Sequence, residues 1–361
     1  MSTFWSTRTA EISPYTPGEQ PQDQKYIKLN TNENPYPPSP RVIQAIQANT
    51  NETLRLYPDP NSRKFREKIA DYYRVAVDQV FAGNGSDEIL AFAYSAFFNP
   101  GDPIAYPDIT YSFYPVYAQL FDLHPRLVPL TDDFSIPLEK FNDPDVGIIF
   151  PNPNAPTGKL LPLNAIVSLL DRCNRKIVIV DEAYIDFGGE SATELIARYP
   201  NLLVIFTLSK SRALAGLRLG YAIGHVDLIE GLNRIKNSFN SYTLDRLAIA
   251  GGVAAFEDEA WFLESRQKIM TTRQRITNNL RQIGFDVVES AANFIFIHHP
   301  AVEAQHIFTE LKKRGILVRY FNLPRINNHL RVSIGTDSDM DIFFSNIRDI
   351  VNKSLSENPH D

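Results

Sequence analysis

Between about residues 63 and 225, short apolar runs alternate with helical patterns, and this alternation constrains the fold more than any other feature of the chain. The apolar runs lie within "DPIAYP", "HPRLVPL", "DVGIIFP", "KIVIVDEAY", "NLLVIFTLS" and "RLGYAIG". Helical patterns such as "DEILAFAYSAFF" and "LNAIVSLLDRC" separate several of them. Near-continuous Val/Ile strands between helices are typical of a sheet that is covered on both faces. The sequence therefore predicts an α/β fold with a mostly parallel central sheet.

The pattern changes after about residue 255, where we predict a smaller α+β unit. A long helical pattern ends near Gly284 and precedes the apolar runs "FDVVES", "NFIFIHH", "ILVRYF" and "LRVSIGT". Two more helices are predicted, one around "EAQHIFTELKKRG" and one around "DMDIFFSNIRDIVNKSL". Residues 13–40 are rich in proline, which favours an extended arm over a packed element. We therefore expect an arm over 1–40, a large α/β domain over 41–257 and a small α+β domain over 258–361.

Composition excludes several classes of protein. The net charge of −6 and the pI of about 5.7 argue against a nucleic-acid-binding surface. A single cysteine, Cys173, rules out an intrachain disulfide, and the scattered histidines form no metal-binding motif, so we expect no metal. The first residues lack the apolar stretch of a secretory signal, and no apolar run is long enough to span a bilayer. We therefore expect a cytoplasmic protein with no membrane partner.

The stretch "AGNGSDEIL" (82–90) has the composition of an anion site. Gly83 and Gly85 lead into a helix whose expected N-cap is Ser86. Free N–H groups at a helix start bind anions, and glycine lets a phosphate approach the backbone. The alternative is an ordinary capped turn, in which Asp87 and Glu88 favour the positive end of the helix. The glycine spacing fits neither a dinucleotide fingerprint nor a Walker loop.

Two further stretches place polar groups where predicted strands end. The loop "FPNPNAPTGK" (150–159) is stiffened by prolines and can aim amide side chains into a cleft, although an ordinary Pro/Asn turn is an equal alternative. In "IVIVDEAY" (177–184), Asp181 and Glu182 follow four branched apolar residues. An acid at the tip of an interior strand is costly unless it is paired. A protonated ring nitrogen would pair with it; a helix-capping role is the alternative.

The stretch "TLSKSRALAGLRLGY" (207–221) carries Lys210 to the end of an apolar run and places Arg218 eight residues later. A lysine in an apolar setting is a usable amine nucleophile or base, and a guanidinium suits phosphate. Gly216 is expected to let the backbone pass close by. The alternative is a solvated loop lysine. Together the four stretches supply a phosphate cup, a carboxylate for a pyridinium and a lysine for a Schiff base, the requirements of pyridoxal 5'-phosphate.

The order of "GNGSDE", "PNAPTG", "DEAY" and "TLSKSRALAGLR" resembles that of the fold-type I, class I/II aminotransferases, over about residues 13–350. The stretches "LNTNENPYPPSP", "LRLYPDP", "GILVRYF" and "LRVSIGT" are similar to the histidinol-phosphate aminotransferase branch of that family. This resemblance implies a homodimer that uses pyridoxal phosphate. It also implies transfer of an amino group from an amino phosphate ester, L-histidinol phosphate, to a 2-oxo acid, 2-oxoglutarate, in histidine biosynthesis.

The resemblance implies roles for individual residues. The catalytic residues would be Lys210, which holds the cofactor and moves the Cα proton, Asp181 on the ring nitrogen, and Tyr184 on the ring hydroxyl. The other cofactor contacts would come from Tyr111, stacked on the ring; Asn154, on the ring hydroxyl; Gly85, Ser86, Asp87, Ser209 and Arg218, around the phosphate; and Tyr57, from the partner subunit. The substrate's anionic end would meet Arg319 and Arg331, with Tyr15 and Asn32 of the arm closing over it.

One position departs from the family pattern, and three other functions stay open. The family commonly has asparagine directly before Pro-Thr-Gly, where this chain has Ala155; the nearest amide is Asn154, to which we carry the ring-hydroxyl role. An aromatic amino-acid aminotransferase would use the same machinery. A phosphothreonine-type decarboxylase would share the fold and the lysine. A cofactor-sensing regulator would need a DNA-binding module, for which the 40 or so residues before the first helix are too short.

Overall fold

The computed structural model describes residues 3–357 and shows the predicted change from an α/β to an α+β arrangement. The first part contains α1 Thr7–Glu11, β1 Ile27–Lys28, α2 Pro40–Asn49, α3 Arg63–Tyr73, β2 Val80–Asn84, α4 Gly85–Phe97, β3 Pro103–Pro107, α5 Phe113–Leu120, β4 His124–Val128, β5 Gly147–Pro151, α6 Leu163–Arg172, β6 Val178–Asp181, β7 Leu202–Thr207 and β8 Leu219–Gly224. The rest contains α7 Val226–Phe239, α8 Arg246–Glu257, α9 Glu259–Gln282, β9 Asp286–Val288, β10 Phe294–His298, α10 Ala304–Lys313, β11 Ile316–Leu317, β12 Arg319–Tyr320, β13 Leu330–Ser333 and α11 Asp337–Glu357. No helix within residues 3–357 is both long and apolar enough to cross a bilayer.

A seven-stranded sheet with the order β2-β8-β7-β6-β5-β3-β4 forms the centre of the first part. Strand β8 runs antiparallel to both of its neighbours, and the other pairs are parallel, which confirms the predicted sheet. Each of the six predicted apolar runs contains one of its strands. Strand β2 was missed, because the glycine-rich end of "VFAGN" reads as a turn.

The interior strands are buried on both faces. In β6, Val178 and Val180 pack in one apolar cluster, whereas Ile179 between them packs in the cluster on the opposite face. Burying one such side chain contributes about 1.5–3 kcal/mol, so both clusters favour this register strongly. A one-residue shift would move every side chain of the strand to the other face. Asp181 is thereby held at the end of β6.

A second, antiparallel sheet with the order β12-β13-β10-β9 lies in the C-terminal part, with a third apolar cluster. The long helix α9 ends at Gln282, just before Gly284 at φ +88°, as the glycine predicts. The predicted single strand "ILVRYF" is instead two short strands. The reason is that β11 pairs with β1 of the arm, whereas β12 pairs with β13.

The proline-rich arm is extended, but part of it is packed. Strand β1 lies parallel to β11, and the next residue, Leu29, accepts a hydrogen bond from the Ser333 N–H at 2.9 Å. Leu29, Asn30 and Asn32 are buried. The arm therefore continues into the region between the two sheets.

The closest backbone approach is at Gly220 in β8, and not at Gly216 as the sequence suggested. A Cβ added at Gly220 would lie 2.5 Å from the carbonyl carbon of Gly85 and 2.6 Å from the backbone nitrogen of Ser86, at the start of α4. A Cβ added at Gly216 would meet nothing within 4 Å. Only glycine at position 220 thus allows β8 to lie against the first turn of α4.

We predict that Gly220→Ala destabilises the fold by about 1–3 kcal/mol, because the added methyl group forces β8 and α4 apart. Gly216→Ala is the matched control and should leave stability unchanged or slightly raised, since it restricts the unfolded chain without a clash. Thermal unfolding of the two variants beside the wild type measures the difference. Equal melting temperatures for the two variants would contradict the close approach.

Candidate active site

Most of the polar residues singled out in the sequence lie around the carboxyl edge of the seven-stranded sheet. Strands β6 and β7 are parallel neighbours, with Asp181 paired to Ile205, so Asp181 and Lys210 follow from adjacent strands. Strand β2 leads directly into α4, whose first residues are Gly85, Ser86 and Asp87. Open α/β sheets bind ligands at this edge.

Asp181 is a buried carboxylate with neutral hydrogen-bond partners. Its Oδ2 accepts a hydrogen bond from the Tyr114 hydroxyl at 3.0 Å, and its Oδ1 accepts one from the Ala183 N–H at 3.2 Å. Burial raises the pKa of Asp181 to about 6, against the opposing effects of these bonds and of the nearby charge of Lys210. A carboxylate in this setting is suited to a cation that arrives with a ligand.

Three tyrosines surround this region, one just before α5 and two within it, and the two within the helix were missed in the sequence. Tyr111 donates a hydrogen bond to Oδ1 of Asp87 at 2.8 Å, and Tyr117 donates one to the backbone carbonyl of Asp87 at 2.8 Å. Tyr114 is the partner of Asp181. The signal was present: tyrosines three residues apart in "YSFYPVY" share one face of a helix.

The start of α4 is open to an anion. Its N-cap is Asn84 and not Ser86 as expected, because Gly85 at φ +77° already begins the helix. The N–H groups of the first turn have no intrahelical acceptors. Arg218 lies close to this turn: a Cβ added at Gly85 would be 2.7 Å from Nη2 of Arg218. The same Nη2 is 3.3 Å from Oδ2 of Asp87.

The segment after β7 supplies Ser209 and Lys210. Ser209 is buried, and its hydroxyl accepts a hydrogen bond from the Thr207 hydroxyl at 2.9 Å. Lys210 is partly buried; its Nζ donates to the backbone carbonyl of Thr31 at 3.2 Å and lies 5.9 Å from the ring centroid of Tyr184. The arm therefore covers the lysine, as a closing segment would.

Tyr184 links the site to the arm and to the second sheet. Its hydroxyl accepts a hydrogen bond from Nδ2 of Asn32 at 3.0 Å. Ser333 holds Asn32 in turn. The Ser333 hydroxyl donates a hydrogen bond to Oδ1 of Asn32 at 2.8 Å and accepts one from the Asn32 backbone N–H at 2.9 Å. Ser333, at the end of β13, was not singled out in the sequence. One network thus spans residues far apart in the chain.

Asn154 is fully buried, and its amide is held by Thr157 of its own loop and by the segment that follows β3. Nδ2 donates to the carbonyl of Ile109 at 3.1 Å and to the Thr157 hydroxyl at 3.0 Å, and Oδ1 accepts from the Thr110 hydroxyl at 3.4 Å. Both amide hydrogens are therefore in use. A hydrogen bond from Nδ2 to a ligand would require exchange of one of these contacts, so the ring-hydroxyl role remains a prediction. The neighbouring Ala155 is also buried.

Arg319 and Arg331 are directly opposite each other on β12 and β13. Arg331 donates to the backbone carbonyl of Asn30 at 2.8 Å, while its buried Nε has no partner. Burial lowers the pKa of Arg331, and the charge of Arg319 acts in the same direction. Like charges directly opposite on a sheet are destabilising. An anion between them would remove the repulsion and satisfy the free N–H.

The last two predicted residues, Tyr15 and Tyr57, both stack on other aromatic rings. Tyr15 of the arm stacks on Phe113 with ring centroids 4.2 Å apart, which places it at the start of α5. Tyr57 is 79% exposed and stacks on Tyr242 with ring centroids 4.6 Å apart. Its role in a partner's site remains a prediction.

Known proteins resemble this chain over nearly its whole length. The family model for class I and II aminotransferases matches residues 24–347. A histidinol-phosphate aminotransferase of Clostridium acetobutylicum is 57% identical over 97% of this chain and all of its own length. Histidinol-phosphate aminotransferase 1 of Hydrogenovibrio crunogenus is 56% identical over 94% of this chain and 95% of its own.

Solved structures share the fold. Histidinol-phosphate aminotransferase of Sinorhizobium meliloti, solved in complex with pyridoxal-5'-phosphate, has a TM-score of 0.88 at 22% identity and covers 98% of this chain and 99% of its own. An aspartate aminotransferase of Thermus thermophilus, solved with maleate, has a TM-score of 0.81 at 17% identity over 96% and 99% of the two chains. From the family match and the full-length relatives, the chain belongs to the family of class I and II aminotransferases.

Proposed function

We propose that this protein uses pyridoxal 5'-phosphate to transfer the amino group of L-histidinol phosphate to 2-oxoglutarate, giving imidazole-acetol phosphate and L-glutamate, a step of histidine biosynthesis. The main support is structural: Asp181, Lys210 and the start of α4 lie at the same edge of the seven-stranded sheet. Relatives that are 52–57% identical bear the name histidinol-phosphate aminotransferase, which favours this substrate over an aromatic amino acid.

The residues of this edge fit the cofactor. The backbone N–H groups of Ser86 and Asp87, with Ser209 and Arg218, would hold its phosphate, and the absence of a side chain at Gly85 leaves room for Arg218 beside them. Asp181 would keep the pyridine nitrogen protonated. The resulting cation would pair with the buried carboxylate of Asp181. Tyr111 would lie on the ring, with Tyr184 and Asn154 at its hydroxyl. Bound in this way, pyridoxal phosphate supplies an electron sink for the substrate Cα.

The proton transfers would fall to Lys210. Its Nζ hydrogen-bonds only to a carbonyl of the arm, among the bonds that the structure gives it, so little has to be broken to free the amine. From the end of β7 it would take the Cα proton of a bound substrate and return that proton to the cofactor carbon on the other side of the transferred nitrogen, two atoms away, which is general acid–base work. Asp181 stabilises the charge that develops, because its carboxylate is already held by Tyr114 and the Ala183 N–H.

Substrate binding would rest on Arg319 and Arg331. A guanidinium pairs with either a phosphate or a carboxylate, so one pair can serve the phosphate ester and the 2-oxo acid in turn. Tyr15 and Asn32, in the arm we propose for residues 1–40, would close over the substrate and exclude water. The large domain 41–257 would hold the cofactor, and the small domain 258–361 would carry both arginines.

The functional unit would be a cytoplasmic homodimer. Exposed Tyr57, stacked on Tyr242, has the accessibility that a residue needs to reach the cofactor phosphate of a partner subunit. The acidic net charge and the domain plan leave no evident surface for nucleic acid.

We expect the purified, cofactor-loaded protein to transaminate histidinol phosphate with a kcat/KM at least about 100-fold above that for phenylalanine, because the arginine pair is placed for a strongly anionic group. Steady-state assays with 2-oxoglutarate as the acceptor measure both values. A preference for phenylalanine would point to an aromatic aminotransferase, and release of carbon dioxide would point to a decarboxylase.

Lys210→Ala should lower the kcat of transamination by at least about 1000-fold, while the cofactor still binds without a covalent link. Loss of the amine removes the group that moves the proton and leaves the phosphate and ring contacts intact. Absorption spectra and single-turnover assays separate the two effects. Lys140→Ala, at an exposed lysine, is the control and should behave as wild type. Activity that survives in Lys210→Ala would refute the assignment.

Asp181→Asn should act with opposite signs on apoprotein stability and on cofactor binding. The folded-state pKa of Asp181 is raised to about 6, above its unfolded value. Ionisation of Asp181 therefore does not lower the free energy of unfolding below about pH 4, lowers it progressively as the pH rises to 6, and lowers it most above pH 6. Removing it should stabilise the apoprotein at pH 8 by up to about 3 kcal/mol, and by less at pH 5. The same change should weaken pyridoxal phosphate binding by at least about tenfold, because the partner of the protonated nitrogen is lost.

Melting temperatures of the apoprotein at pH 5 and 8, with cofactor titrations at pH 8, test this pair of effects. Asp132→Asn, at an exposed aspartate, is the matched control and should change neither quantity. A variant that is less stable at pH 8 and binds the cofactor as tightly as wild type would contradict the role of Asp181.

A further inference from the structure

The loop of residues 321–329 joins the two strands that carry the candidate substrate arginines. Strand β12 begins with Arg319, and β13 contains Arg331. Phe321, the first residue of the loop, lies beside both: its ring centroid is 5.6 Å from the guanidinium carbon of Arg319 and 5.8 Å from that of Arg331. The position of this loop therefore affects where both cations lie.

Arg325, near the middle of the loop, reaches across to the seven-stranded sheet. Its Nη1 donates to Oδ2 of Asp108 at 3.1 Å. Its Nη2 donates to the backbone carbonyls of Leu130 at 2.9 Å and Thr131 at 3.1 Å. A planar guanidinium can hold several acceptors at fixed angles, which a flexible ammonium cannot do. One side chain of the loop is thus fixed to two segments of the sheet edge.

The acceptors belong to the edge that carries the candidate ring-stacking residue. Asp108 directly follows β3 and lies three residues before Tyr111. Its second oxygen accepts a hydrogen bond from the Leu130 N–H at 2.9 Å, so the carboxylate is itself held in place. Arg325 therefore connects the arginine-bearing loop to the segment that leads into Tyr111.

Apolar packing beside Arg325 already joins the two sheets. Ile326 is buried in the same apolar cluster as the large-sheet strands, and Phe134 packs edge-on against Phe296 and His329, with centroids 5.7 and 5.1 Å away. The side chains of Arg325 and Asp108 keep 36% and 23% of their exposure. Solvent screens an ion pair of this kind, so its contribution to folding stability is small. Its main consequence is geometric.

We propose that Arg325 is a positioning residue for substrate binding, which holds Arg319 and Arg331 at a fixed place relative to the cofactor ring. This inference rests on the proposed function. The small domain binds the anionic end of the substrate, and the large domain binds the reacting end. Displacement of one relative to the other by about 1 Å can cost up to about 100-fold in kcat/KM.

The test is the kinetics of Arg325→Ala in the cofactor-loaded enzyme. The KM for histidinol phosphate should rise about tenfold, with kcat changed less than about threefold, because the anion contacts weaken while the proton-transfer groups stay in place. The kcat/KM for histidinol, which lacks the phosphate, should stay unchanged, as should the cofactor's dissociation constant and absorption spectrum. Arg325→Lys should recover part of the loss, since it keeps the charge without the fixed geometry.

The matched control is Arg126→Ala, which removes the exposed Arg126–Asp143 ion pair (2.6 Å) and should change none of these values. The proposal is overturned by an unchanged KM, or by equal losses for histidinol phosphate and histidinol. If Arg325→Ala does not fold, the same comparison is made with Arg325→Lys, and wild-type kinetics in that variant overturn the proposal.

If the wild type does not transaminate histidinol phosphate, the proposed function is wrong, and the role of Arg325 is tested without turnover. Inorganic phosphate is then the probe: it should bind the cofactor-loaded Arg325 variant about tenfold more weakly than the wild type. Equal phosphate affinities would overturn the role of Arg325 in that case.

Discussion

The rest of the site depends on a carboxylate that the fold buries without an ion pair in its immediate shell. Asp181 is held at the end of β6 because the branched side chains before it pack on both faces of the sheet. Burial raises the pKa of this carboxyl, and its direct hydrogen bonds come from Tyr114 and one backbone N–H. Folding alone does not favour such an arrangement. In the function we propose, a cationic ring nitrogen would pair with this carboxylate, and the start of α4 and Lys210 at the same edge would hold the rest of the cofactor.

In the function we propose, the two sheets hold opposite ends of one substrate. Asn32 of the arm bonds to Tyr184 on one side and to Ser333 on the other, so the arm connects the cofactor edge to β13. Arg325 makes an independent connection through Asp108. Together with the apolar packing of Ile326 and of Phe134 on Phe296, these polar contacts would locate the arginine pair relative to the cofactor edge.

The sequence predicted the features that depend on local pattern, and missed those that depend on tertiary contact. The apolar runs gave the strands and the order of the chemical motifs, including Asp181 at the end of its strand, since periodicity and composition are local. Strand β2 was missed because pairing with β8, rather than its own residues, makes it a strand. The sequence pattern predicts the close backbone approach at Gly216, but it lies at Gly220. The neighbour that Gly220 meets, α4, is over a hundred residues away in the chain, so no local pattern indicates it.

If Lys210 holds the cofactor as we propose, covalent trapping will find the cofactor on this lysine. The cofactor-loaded protein is reduced with borohydride and digested, and the peptides are analysed by mass spectrometry. We expect a pyridoxyl phosphate group on the Lys210 side chain, in the peptide that contains "TLSK". A reduced protein in which Lys210 is unmodified, or in which another lysine carries the group, would contradict it.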